Sequence, residues 1–307
     1  NIFCVCGGNG RRLFAAVIRE AYEMPQNKSV VEVKDLKIGV LAENAQDGKK
    51  YRFTIDYGSF DINEGDFLLV KGRNGYGKTT FLKLFHLQGV NYFRVAKGDV
   101  YFRDPAFNAD KSIIDFTNDE LTKLNRFVSF VGQEEIFKTG ATAYTTIYDY
   151  CKTAINESET LTKQDKKQKL IRVAEVIREY YDKYLQKSFE CPSFRAFKVK
   201  GVKTWSGGQQ KMINVLAGII KAKVCGLKLI VMDEPLNNLD GRNKDILNTL
   251  IKELRAEGVA VIAITHCQIF DGINKVLTIV ESAPGERKAI YSEREEPAHS
   301  ECLEVFR

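Results

Sequence analysis

A strand-like run, GDFLLVKG, passes directly into RNGYGKTT and then into the amphipathic FLKLFHL, so residues 65–87 read as strand, glycine loop and helix. That order constrains the fold more than any other feature of the chain. In Gly72-Arg73-Asn74-Gly75-Tyr76-Gly77-Lys78-Thr79-Thr80 the glycines let backbone N–H groups face an anion, and the following helix presents its own first N–H groups to the same place. A flexible surface turn would leave Lys78 and Thr79 without a role. The spacing is that of a loop that cradles a phosphate chain: Asn74, Gly75, Tyr76 and Gly77 form its wall, Lys78 reaches the β- and γ-phosphates, Thr79 offers a hydroxyl to Mg²⁺, and Thr80 binds an α-phosphate oxygen.

A chain of 307 residues with 44% hydrophobic content can bury a sizeable core as one large domain or two small ones. Its apolar runs, such as LKLIVM and VAVIAIT, are strand-length and far from the ~20 residues that span a bilayer. The N-terminal IFCVC is too short for a signal-peptide apolar region, so a cytoplasmic location is expected. The seven cysteines are scattered and the three histidines dispersed, which argues against a disulfide framework or a zinc site. Cys4 and Cys6 share a strand face, where burial outweighs metal binding. The net charge of +6 gathers between Cys151 and Thr204, where lysines and arginines outnumber acids. Such a face suits a polyanion, although a solvated helix surface has the same composition.

Residues 1–28 form an appendage of strand, GGNG turn and helix, closed by Pro25. The GGNG lacks the lysine and hydroxyl that follow a phosphate loop. VVEVKDLKIGV and YRFTIDYG read as strands joined by an AENAQDGKK turn. From about Ala141 to Thr204 the pattern is helical, with TKQDKKQKLIRVAEVIREYYDKYLQK its clearest part. Strand LKLIVMD, helix NKDILNTLIKELRAEG and strand VAVIAITH then alternate, as in a parallel sheet with crossover helices. KVLTIVES and KAIYSE read as edge strands ahead of an acidic tail.

Two further stretches carry chemistry. Leu229-Ile-Val-Met-Asp233-Glu234 is a buried strand ending in two carboxylates; it brings Asp233 beside the loop, where it can hold a Mg²⁺ water, and leaves Glu234 to orient or deprotonate an attacking water. Trp205-Ser206-Gly207-Gly208-Gln209 opens the helix KMINVLAGII, either as a helix cap or as a second anion-binding nest. Because the first loop already holds this chain's phosphates, a second nest points to a partner's nucleotide.

In this order the motifs resemble those of the ATP-binding cassette superfamily, over about residues 29–283. GRNGYGKTT matches its Walker A, SGGQ its signature and LIVMDEP its Walker B; Gln133 in FVGQEE resembles the Q-loop glutamine, Asn237-Asn238-Leu239-Asp240 the D-loop, and His266 in AITH the switch histidine. The resemblance implies an α/β fold: a P-loop NTPase core with a mixed sheet, an antiparallel β subdomain, an inserted α-helical subdomain at about 134–204, and a C-terminal strand and tail at 284–307. It also implies Mg-ATP bound between two subunits arranged head to tail. Glu234, His266 and Gln133 are then catalytic; Thr79, Gln133 and Asp233 hold the metal; Ser206, Gly207, Gly208, Gln209 and Asp240 contact nucleotide. Tyr51 stands nearest the place of the adenine-stacking aromatic, with Phe53 and Tyr57 as competitors. The chain lacks an NKxD motif, so a GTPase reading drops away.

The chain departs from transporter members in having Trp205 before the signature, Lys211-Met212 and VLAGI after it, and the long link KAKVCGLK before Walker B. Two readings remain. One is the nucleotide-binding subunit of a membrane transporter, a dimer bound to a permease at the inner membrane face. The other is a soluble cassette ATPase acting on nucleic acid, a ribosome or an effector partner.

Overall fold

The computed structural model describes residues 28–41, 51–86, 93–133, 136–265 and 270–293. The appendage with Cys4, Cys6 and GGNG, the AENAQDGKK turn and the acidic tail lie outside these residues, as does His266.

Among the described residues nine strands form one mixed sheet: β1 (Ser29–Leu41), β2 (Tyr51–Asn63), β3 (Phe67–Gly72), β4 (Phe93–Phe102), β5 (Val128–Val131), β6 (Leu229–Asp233), β7 (Ala260–Ile264), β8 (Lys275–Ala283) and β9 (Glu286–Glu293). Their spatial order is β4-β1-β2-β9-β8-β3-β7-β6-β5. Strands β5, β6, β7, β3 and β8 run parallel, whereas β9 is antiparallel to β8 and parallel to β2, and β1 is antiparallel to both β2 and β4.

The parallel half is covered on both faces. Along β3, Phe67 and Leu69 point into one core with Val261, Ala263, Ile230 and Met232, while Leu68 and Val70 point into the other with Ile262, Leu229 and Val231. The first core holds the long helices α6 (Gly207–Cys225) and α7 (Gly241–Ala256) together with α3 (Ala143–Asn156), α4 (Lys163–Tyr180) and α5 (Phe194–Val199). The second holds α1 (Lys78–Leu82) and α2 (Asn118–Phe127) under the antiparallel strands. Capping boxes start α3 at Thr142 with Thr145 and α4 at Thr162 with Asp165.

Three sequence expectations change. KVLTIVES and KAIYSE are interior strands, because β8 lies between β9 and β3, and β9 lies between β8 and β2; among the described residues the edges are β4 and β5. The polar alternation of β9 reflects an open face of the sheet, not an open edge: Ala289 is buried while its neighbours are exposed. FLKLFHL continues the helix only to Leu82, then tightens into a 3-10 turn over Lys83–Phe85, with His86 extended. Thr79, Thr80 and the aromatic residues that follow are weak helix formers, and packing of Phe81 and Phe85 against the sheet decides the backbone there. KAKVCGLK is largely the last turns of α6, which stops at Gly226 in the left-handed conformation.

Candidate nucleotide site

Strand β3 ends at Gly72, and the loop that follows turns through Gly75 (φ 77°) and Gly77 (φ 96°) into α1. The left-handed backbone at Gly77 calls for glycine, and an added Cβ would also have to displace the end of the Ile55 side chain, whose Cδ1 it would meet at 2.3 Å. Gly77 is the N-cap of α1, and no side chain caps that helix start. Lys78 lies back over the loop, donating to Gly72 O (2.8 Å), Arg73 O (3.3 Å) and Asn74 Oδ1 (3.4 Å). Burial lowers the pKa of its ammonium, opposed by the charges of Glu234 and Asp233.

Strand β6 delivers Asp233 to the foot of this loop. Thr79 Oγ1 donates to Asp233 Oδ2 at 3.2 Å, and the Gln133 side chain also hydrogen-bonds the carboxylate. Asp233 is 3% exposed, and its Oδ1 is buried without a partner. Burial raises its pKa, against the lowering effect of Thr79 and Gln133. An unsatisfied buried carboxylate oxygen is costly in apolar surroundings. With a hydroxyl and a side-chain amide beside it, the donor set fits a hard divalent cation.

Glu234 follows in the left-handed conformation (φ 49°), rare for a residue with a side chain. Its N–H donates to Ile264 O at 3.0 Å, and its carboxylate accepts a hydrogen bond from Asn237 Nδ2. Lys78, Thr79, Gln133, Asp233 and Glu234 thus come together. Lys211 joins them from α6: its Nζ donates to Gly132 O (3.3 Å) beside Gln133, and burial lowers its pKa while Asp233 and Glu234 oppose.

Ser206, Gly207, Gly208 and Gln209 form a second cluster. Ser206 is the N-cap of α6: its Oγ accepts from Gln209 N (3.3 Å), and Gln209 Oε1 accepts from Ser206 N (3.0 Å). A Cβ on Gly208 would meet Asn238 O at 2.5 Å, so this glycine lets the helix start press against the 237–240 turn. Asp240 is the N-cap of α7, its carboxylate accepting from Asn243 N at 2.8 Å. Trp205 sits among Phe189 and Phe197 with the Lys200 ammonium 3.6 Å from its ring centroid, so it anchors the segment in the helical core.

The aromatic candidates separate by burial. Tyr57 is buried and donates from its hydroxyl to Gly77 O at 3.3 Å; Phe53 is buried under the Arg287 guanidinium, 3.4 Å from its ring centroid. Tyr51 is 41% exposed, with its ring over Gly39. Tyr76 is half-buried against the second core and donates from its hydroxyl to Glu281 Oε2 at 3.0 Å. Lys211 and Arg287 were missing from the sequence-based site, and Tyr57 stood there only as a competing aromatic, not as a donor to the loop. Each belongs to an element whose place beside the loop is set by sheet order or helix packing, and none sits in a motif.

The family model described as "ABC transporter" matches residues 55–237. The chain is 26% identical over 235 residues to the Fe(3+) ions import ATP-binding protein FbpC of Fusobacterium nucleatum, covering 76% of this chain and 53% of that protein. It is equally identical, at 26% over 235 residues, to the carnitine transport ATP-binding protein OpuCA of Listeria monocytogenes, covering 75% and 49%. The chain therefore spans about half the length of these two relatives. Its fold is similar to that of the ATP-binding cassette MJ0796, solved as a post-hydrolysis dimer bound to ADP and phosphate, with a TM-score of 0.56 and 20% identity over 90% of this chain and 100% of that one.

Proposed function

The chain belongs to the ABC transporter family, and from that premise we propose that it binds and hydrolyses Mg-ATP in a head-to-tail dimer, as the nucleotide-binding subunit that powers a membrane permease. The observation that carries this reading is the Thr79–Asp233–Gln133 cluster at the foot of the glycine loop, with Asp233 Oδ1 buried and unpartnered.

Thr79, Asp233 and Gln133 would hold the Mg²⁺, which when bound offsets the charge of the β- and γ-phosphates. Lys78 exchanges the carbonyls of Gly72 and Arg73 for phosphate oxygens, which are stronger acceptors. Glu234, held by Asn237, accepts a proton from the attacking water. The water oxygen bonds to the γ-phosphorus as the bond to the β–γ bridging oxygen breaks, giving ADP and phosphate. His266, which lies outside the described residues, is carried as a catalytic residue on its sequence motif alone. The Ser206–Gln209 helix start of one copy faces the nucleotide of the other.

The permease reading draws on the names of the relatives and on a cavity of about 340 Å³ lined by residues including Ile136, Lys138, Ala141, Thr145 and Asp149, which follow Gln133 in the sequence. Among the described residues no helix is long and apolar enough to cross a membrane. The nucleic-acid reading is weakened by ion pairing on the basic helices: Arg172 with Glu175 and Glu179, Arg178 with Asp182, and Lys183 with Glu253.

The decisive experiment is Glu234→Gln. Hydrolysis should fall by about 10²–10⁴ while Mg-ATP affinity is retained, because the charge and proton acceptor are lost but the cradle is not. Parent-rate turnover in that variant removes Glu234 as the base.

A further inference from the structure

An anion-binding loop turns its N–H groups inward and its carbonyls outward, where each bonds a protein donor or water; a protein donor, unlike water, also fixes the direction of the carbonyl. In this chain the donors have different origins. Lys78 donates to Gly72 O and Arg73 O, the latter also accepting from Tyr76 N; Tyr57 of β2 joins Phe81 N on Gly77 O; and Arg287 of β9 donates to Gly75 O through Nη1 at 2.6 Å. Only the first donor is asked to leave when phosphate arrives. Arg287 is held independently of any ligand: it pairs in register with Ile55 on one side and Glu281 on the other. Its guanidinium lies 3.4 Å from the Phe53 ring centroid and 4.5 Å from that of Tyr76, whose hydroxyl returns to Glu281. A planar cation flat on an aromatic ring, aimed at a carbonyl, is a fixed hydrogen-bond donor.

We propose that Arg287 is a positioning residue for phosphate binding, holding the Gly75 carbonyl outward so that the loop keeps its anion-binding shape once Lys78 has moved to the phosphates. Gly75 and Gly77 have no side chains to restrict them, and without this tie the loop samples other conformations. The C-terminal hairpin β8–β9 is thereby part of the nucleotide site. The inference rests on the proposed nucleotide-binding role of the loop.

The test compares Mg-ATP with inorganic tripolyphosphate, which has the phosphates but no base, on Arg287→Ala, Arg287→Lys and Lys78→Ala. Arg287→Ala should weaken both ligands by the same factor, about 10–100-fold, the range expected for a hydrogen bond to a charged group. Arg287→Lys, which keeps the donor but not the flat stack, should recover part of the loss for both ligands. Unchanged affinities in Arg287→Ala, beside weakened binding in Lys78→Ala, overturn the inference alone; unchanged binding in Lys78→Ala overturns the nucleotide reading itself. A fall for ATP without one for tripolyphosphate also overturns the inference, since it makes Arg287 a base contact. If Arg287→Ala does not fold, Phe53→Leu carries the same comparison by removing the shelf under the guanidinium, with a smaller parallel fall expected and an unchanged pair of affinities counting against the proposal.

Discussion

Two helices of this protein begin among glycines and polar residues, and they begin differently. The start of α1 at Gly77 has no side-chain cap, and a lysine of its own first turn folds over the loop. The start of α6 at Ser206 is closed by a reciprocal pair of hydrogen bonds with Gln209, and its glycine is pressed against Asn238. One start is open and carries its own cation; the other is a finished cap. The difference teaches that similar composition at a helix N-terminus can serve opposite ends. At α1, first-turn N–H groups without a side-chain cap suit a ligand, whereas at α6 the cap makes a rigid surface that can be presented to something else.

Substitutions can break or sharpen that contrast. The largest effect is expected for Ser206→Arg, which places a bulky cation where a partner's γ-phosphate would sit: turnover should be abolished while monomer affinity for ATP, measured by titration, stays near parent. Normal turnover would show that the α6 start does not face a nucleotide. Lys78→Ala should cost about 1.5–3 kcal/mol of Mg-ATP affinity, the value of a charge-assisted hydrogen bond, with no matching loss in variants at Ser206. Gly208→Ala forces a Cβ against the Asn238 carbonyl and should destabilise the fold by about 1–3 kcal/mol, read by denaturant unfolding. Ser206→Ala removes only the cap and should cost about 1 kcal/mol in the same measurement. If Ser206→Ala were as costly as Gly208→Ala, the cap rather than the contact with Asn238 would hold that segment.

The two halves of the sheet differ in how well they can be read from sequence. Strands β3, β6 and β7 are buried on both faces, so they appear as unbroken apolar runs, and residues at their C-terminal ends become candidates at once. Lys78, Thr79, Asp233 and Glu234 were found in that way, by their place at the end of such a run or directly after it. Strands β4 and β5 escaped notice: FRVAKGDVYF alternates weakly, and VSFV is only four residues long. Strand β9 was recognised but misplaced. Its polar alternation comes from one open face, and alternation cannot say whether a strand has one neighbour or two.

The sequence by itself determined the local geometry of the loop, because glycine positions, a following lysine and a buried strand are constraints acting within a few residues. At Ser206 it allowed a cap or an anion nest, and at Asp240 it suggested only a nucleotide contact; the structure shows both residues capping helices. Which side chains fix the loop's carbonyls was decided only by the tertiary structure. Arg287 is more than 200 residues from Gly75 along the chain, |i−j| being 212, and meets it because β9 inserts between β2 and β8. Tyr57 reaches Gly77 from β2 across the second core. Strand order is set by the summed burial of both faces of the sheet and not by any local preference, so a contact that depends on it leaves no mark in the residues on either side.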